Sequence, residues 1–157
     1  MASSSPSKLD SALICRVRRR FCALPLAHVV ETMRPLPVEA LTTPLPFVTG
    51  MSVVRGAPVP VVDLGALLGT EEAPAFGRFV TLGVEGRRVA LAVEGVVGVR
   101  DLATAELEAL PPLLGDVGAE TIAAVGVLDA AFLVVLRTTR ILADSTWSAL
   151  NAARERR

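Results

Sequence analysis

The chain has no tyrosine, one tryptophan and five phenylalanines, so aromatic side chains make up only 4% of it. That scarcity argues against a surface that stacks nucleobases or a flavin ring. A single histidine, His28, and two cysteines, Cys15 and Cys22, cannot assemble a His/Cys metal cluster or a histidine-based triad. Two cysteines are also too few for a disulfide framework, and both are expected to be reduced, buried thiols. Neither sign of charge dominates. Sixteen basic residues balance sixteen acidic ones, which removes any electrostatic argument for nucleic acid or for direct membrane binding. No apolar run approaches the roughly 18 uncharged residues that span a bilayer. The opening MASSSPSK lacks an apolar stretch behind a basic start, so residues 1–10 are expected to be a disordered tail and not a secretory signal. The stretch from Gly50 to Gly56 lacks the lysine and hydroxyl of a phosphate loop, and Ser52 has no base beside it in sequence. No catalytic, cofactor-binding or metal-binding residues are assigned, and a soluble intracellular protein that is not an enzyme is expected.

What is present is apolar chain in short runs. The composition is 52% hydrophobic and 20% charged, enough for a globular core, and 157 residues amount to about one domain. That domain is placed over residues 11–157. Apolar runs at Ala12–Val17 and Phe21–Leu26 flank Arg18, Arg19 and Arg20, a hairpin pattern with a charged turn. Val29–Met33 continues in extended style until Pro35 and Pro37. Met51–Val54 and Val59–Val62 flank a turn at Arg55 and Gly56, and Phe79–Val84 and Arg88–Val93 flank Glu85-Gly86. Val96–Val99, Ile122–Leu128 and Phe132–Leu136 complete the set, a spacing that points to a sandwich or small barrels. Helical signals are few: Leu64–Leu68 behind an Asp63 cap, Thr104–Leu110 before Pro111, and a C-terminal helix over about Thr139 to Arg154 with Trp147 on its inner side.

From Ala23 to Gly69 the chain reads ALPLAHVVETMRPLPVEALTTPLPFVTGMSVVRGAPVPVVDLGALLG. This stretch resembles the signature of CheW-like domains. The matching residues are Ala23 to Leu26, Val29 with Glu31, Pro44 and Pro46, Gly50, Arg55 with Gly56, and Pro60 to Leu64. VALAVEGVVGVRDL (Val89 to Leu102) and AAVGVLDAAFLVVLRTTRIL (Ala123 to Leu142) continue the likeness in the family's order, so it covers about Leu13 to Leu150. The chain departs from the family pattern at Val53 and Val54, where Asn and Leu usually precede the Arg-Gly pair, and at Gly65, where Arg often stands.

The resemblance implies a mainly β fold of two small five-stranded barrel subdomains with short helices, the first at roughly Gly50 to Arg88 and the second on both flanks. It implies a cytoplasmic adaptor that couples chemoreceptors (methyl-accepting chemotaxis proteins) to a CheA-type histidine kinase, with no cofactor. A groove between the subdomains would receive the receptor's helical tip, and Val29, Glu31, Arg55, Val96 and Val99 are its candidate lining residues. Arg55 either reaches a partner as a bidentate donor or pairs internally with Glu31 or Asp63. Two rival readings are an adaptor for a motility or developmental kinase outside chemotaxis and a small β-barrel hydrolase.

Overall fold

The computed structural model describes residues 11–69, 76–102, 107–108 and 122–155. Its elements run β1 (Ser11–Val17), β2 (Arg20–Pro25), a 3-10 turn (Leu26–His28), β3 (Val29–Met33), β4 (Val48–Val54), β5 (Ala57–Asp63) and the short helix α1 (Leu64–Leu67). There follow β6 (Arg78–Val84), β7 (Arg87–Val93), β8 (Gly95–Asp101), β9 (Leu107–Glu108), β10 (Ile122–Leu128), β11 (Ala131–Leu136), a second 3-10 turn (Thr138–Arg140) and the C-terminal helix α2 (Asp144–Glu155). One sheet has the order β8-β1-β2-β11-β10-β9 and the other β3-β6-β7-β5-β4.

The strands read as nearly unbroken apolar runs because each sheet is covered on both faces. Along β1, Leu13, Cys15 and Val17 face the core between the sheets, while Ala12 and Ile14 face a second cluster with Phe21, Ala23, Leu102 and Leu133. Along β7, Val89, Leu91 and Val93 face the same central core, while Ala90 and Ala92 face a third cluster with Val54, Val59, Val61 and Phe79. Three apolar layers thus alternate with two sheets. Each fully buried Val or Leu contributes ~1.5–3 kcal/mol relative to exposure, and the central layer draws such residues from both sheets and from α2.

Turn chemistry fixes the hairpins. At Arg55-Gly56 and Glu85-Gly86 both central residues have positive φ, 53° with 82° and 54° with 76°. That backbone matches the right-handed strand twist, and glycine takes the second position without a Cβ clash. Asp63 caps α1, accepting a 3.2 Å hydrogen bond from the Ala66 N–H. The 3-10 turn at Leu26–His28 packs against both β1 and β6, so the chain changes sheets there. A second tie joins the sheets where Glu94 follows β7. Its backbone N–H donates to Arg16 O at 3.0 Å, and its carboxylate accepts from the Arg18 N–H.

The mainly β architecture is as expected, with three differences in extent. The five-stranded sheet spans Val29 to Val93, wider than Gly50 to Arg88, because β3 pairs with β6 instead of extending the first hairpin. Of the helical turn expected over Thr104–Leu110, Leu107–Glu108 is a strand against β10, giving that sheet six strands; the rest lies outside the described residues. The C-terminal helix starts at Asp144, not Thr139, because a 3-10 turn over Thr138–Arg140 intervenes. Residues 1–10 also lie outside the described residues. No helix among the described residues is long and apolar enough to cross a membrane.

Cys15 and Cys22 stand opposite each other on β1 and β2, with side chains in the central core. Burial pushes the Cys15 thiol up to about 12 and raises Cys22 as well. Neither thiol should therefore react with a disulfide reagent at pH 8 in the folded protein, and both should react in denaturant; rapid titration of one thiol in the native state would contradict this packing. Leu91→Ala, emptying a fully buried site at the centre of the same core, should cost ~2–5 kcal/mol in a denaturant melt.

Candidate partner-binding site

Glu31 lies on β3 and Arg55 at the tip of the β4–β5 hairpin, so they belong to opposite ends of the five-stranded sheet order. They nevertheless meet. The Arg55 Nε donates to Glu31 Oε2 at 3.0 Å and Nη2 to Oε1 at 2.6 Å, a bidentate fork. The sheet must curl around the third apolar cluster to permit this. The segment between β3 and β4 supports the curl: Glu39 and Met51 exchange two backbone hydrogen bonds of 2.8 Å, and the Ser52 hydroxyl donates to Pro37 O at 2.7 Å. Gly50 is required at this crossing, since a Cβ there would lie 2.2 Å from Glu39 O. The hydrogen bond from Arg55 and its charge hold the Glu31 carboxyl below its ordinary value. Of the two readings of Arg55, the internal pair with Glu31 is therefore the one formed, although the guanidinium stays largely exposed.

The three candidate valines lie elsewhere. Val29 and Val96 are half-buried and pack on the central core, whereas Val99 is 55% exposed. The reason is a bulge in each of the strands that carry them. On β3, Val29 stands opposite Leu82 and Glu31 opposite Thr81, leaving Val30 as the extra residue. The bulge sends Val29 to the central core and Glu31 to the opposite face, beside Thr81. On β8, Val96 stands opposite Cys15 and Gly98 opposite Ile14, leaving Val97 as the extra residue. Val30 and Val97 are both exposed, at 41% and 42%. Both bulged strands are sheet edges, where a bulge blunts uncontrolled strand pairing.

The five expected residues are therefore not one contiguous lining. Glu31 and Arg55 bind each other, Val29 and Val96 underlie the margin of the central core, and Val99 faces outward. Sequence reasoning missed the exposed residues between them: Val30, Val97 and, on the 3-10 turn, Leu26 at 38% exposure. A signal was present. Val29-Val30 and Val96-Val97 are doublets that break strict alternation, and a doublet on an edge strand is where a bulge fits. Two further apolar patches stand apart from these. Val127 and Phe132 face each other across β10 and β11 and are 60% and 68% exposed, and Val53 on β4 is 70% exposed. Among the described residues no three His, Cys, Asp or Glu side chains are grouped to hold a metal.

The model of the CheW-like domain family matches residues 11–146. Fifteen solved chains match as well. One is the scaffolding protein TtCheW from Thermoanaerobacter tengcongensis, which superposes with a TM-score of 0.69 over 82% of this chain and 88% of its own. At 17% identity that likeness speaks to the fold alone. No curated protein matches this sequence.

The Glu31–Arg55 fork makes a prediction about pH. A carboxyl held below its ordinary value stabilises the fold above that value and loses the effect as pH falls through the lowered one. Arg55→Ala should accordingly raise the Glu31 midpoint toward 4.5, followed by carboxyl-carbon NMR, and shrink the loss of stability seen between neutral and acid pH. An unchanged midpoint would mean that the fork does not persist in solution.

Proposed function

This chain belongs to the CheW-like domain family, a family of scaffold and adaptor proteins of chemotaxis signalling, and from that premise we propose that it is a non-enzymatic cytoplasmic adaptor. It couples the helical tip of a chemoreceptor to the regulatory domain of a CheA-type histidine kinase. The observation that carries the reading is the exposed valine pair on edge strand β8, Val97 and Val99, in a strand otherwise anchored by Val96. A receptor helix laid along this strip buries apolar side chains as in helix-in-groove recognition. Val96 anchors that strip to the central core, while Leu26 and Val30 are exposed apolar residues on separate elements and the Glu31–Arg55 fork lies apart from it. The Val127–Phe132 hairpin supplies a second, separate surface for the kinase. Linkage is the mechanism: binding two partners at once biases the kinase between activity states, and array avidity multiplies contacts that are individually weak.

A second reading has one observation in its favour. Val53 is 70% exposed at a position where the family pattern usually carries Asn, which exchanges a polar surface for an apolar one. An adaptor serving a motility or developmental kinase outside chemotaxis fits such a change of partner.

The test is a binding titration of the full chain against the receptor tip and the kinase regulatory domain encoded in the same genome. Val99→Glu should weaken the receptor complex about tenfold or more, while leaving the melting temperature near wild type because the side chain is exposed. Val96→Glu is the poorer probe, since it buries a charge at the core margin. Saturable binding to a kinase of another pathway, with none to the chemotaxis kinase, would select the second reading. Binding to neither partner would remove the adaptor proposal.

A further inference from the structure

The five-stranded sheet is not zipped along its full length. β5 and β7 run parallel, but their pairing is confined to Val61–Asp63 against Ala90–Ala92. Continued backward, that register would set Pro58 against Arg87 and Val59 against Arg88. Pro58 and Pro60 stand opposite Val53 and Met51 of β4. Counting from the two-residue turn, these are non-hydrogen-bonded positions, so both proline nitrogens point away from β4 toward the gap. Neither can donate to β7. The first half of β5 therefore separates from β7, and a cleft of about 330 Å³ opens between them.

The C-terminal helix completes the cleft. Trp147, Leu150 and Asn151 of α2 form one side, and Met51, Pro58 and Pro60 form part of the floor. The rim is cationic: Arg55, Arg87 and Arg88 line it, and among the described residues no carboxylate does. Glu31 occupies Arg55. Arg87 lies over the Trp147 ring, 5.0 Å from its centroid, and is 3.7 Å from Asp144, a carboxylate 95% exposed to water. Such an exposed pair is weak and leaves the guanidinium able to take another acceptor. Arg88 makes no direct ion pair among the described residues, although its charge, with that of Arg55, acts on the Glu31 carboxyl. A strand cannot be added here, because Pro58 and Pro60 offer acceptors and no donors along this edge. The occupant must bind through side chains.

We propose that this cleft docks an acidic amphipathic segment of a partner protein, one apolar side chain seated against Trp147, Pro58 and Pro60 and its carboxylates held by Arg87 and Arg88. An apolar floor whose three rim arginines face only two neighbouring carboxylates, Glu31 and Asp144, selects that chemistry over a basic or purely apolar segment. The cleft shares none of the exposed valines of β8, so this inference stands apart from the receptor strip.

The protein carries its own reporter, since Trp147 is the only tryptophan and there is no tyrosine. The full chain is titrated with a blocked amphipathic peptide of Leu and Glu, and with its counterpart in which Lys replaces every Glu, reading Trp147 emission. The expected result is a saturable spectral shift with the Glu peptide only. Arg88→Glu should weaken it about tenfold or more, with an unchanged circular dichroism melt because that side chain is exposed. High salt should weaken it too, and Val99→Glu should leave it untouched. No saturable shift, equal binding of the Lys peptide, or full binding by folded Arg88→Glu would each overturn the proposal. Loss of receptor binding in Val99→Glu with the peptide shift intact would separate the fate of the two surfaces.

Discussion

The structure depends on one apolar layer shared by two sheets. Neither sheet could stand alone with Leu13, Cys15 and Leu24 on one side of that layer, or Leu82, Leu91 and Val93 on the other, open to water. Two-sided burial is also what forces each sheet to curl, since its outer face needs a cluster of its own. Ala90 and Ala92 are small where the second sheet bends around Phe79, and Ala12 and Ala23 play the same part beside Ile14 and Phe21. Bulky side chains fill the flat central layer, and small ones accompany the concave outer layers.

Curling brings distant sheet edges within reach, and charged groups mark the places. Glu31 and Arg55 meet across the five-stranded sheet, and Arg100 of β8 lies 3.9 Å from Asp129 in the turn between β10 and β11. These contacts are exposed, so they report the curl more than they cause it. The edges that curling leaves open are blunted by bulges at Val30 and Val97. A bulge removes regular strand pairing and turns an apolar side chain outward in the same stroke. Such an edge exposes an apolar side chain without offering a regular ladder for another strand to join.

Strand positions were legible in the sequence because two-sided burial gives long β-branched runs between Gly, Pro and charged turns. The hairpin at Arg55-Gly56 and the Asp63 cap were legible for the same local reason. Partnerships across the fold were not. The parallel pairs β5 with β7 and β11 with β2 join segments far apart in the chain, and no local pattern encodes them. The Glu31–Arg55 fork could not be chosen over a partner contact from sequence, since 24 residues separate the two and only the curl unites them. Val29 and Val96 were named as groove residues through the family resemblance, and each lies beside an exposed valine. The bulge that decides which of the two turns inward is set by register against β6 and β1.

The cleft beside α2 extends the same logic to proline. Pro58 and Pro60 sit in the signature stretch, and prolines within a strand ordinarily mark a sheet edge. In the fold β5 is an interior strand, with β4 on one side and β7 on the other. The prolines act there by ending a ladder partway, which opens a gap that Trp147 and Leu150 wall but do not fill. Leu150 is 3% exposed and fastens the helix to the central core, while Trp147 is only half-buried and carries Arg87 on its ring. Leaving that ring at the mouth of a cationic gap is the arrangement expected of a helix that also holds a site in shape.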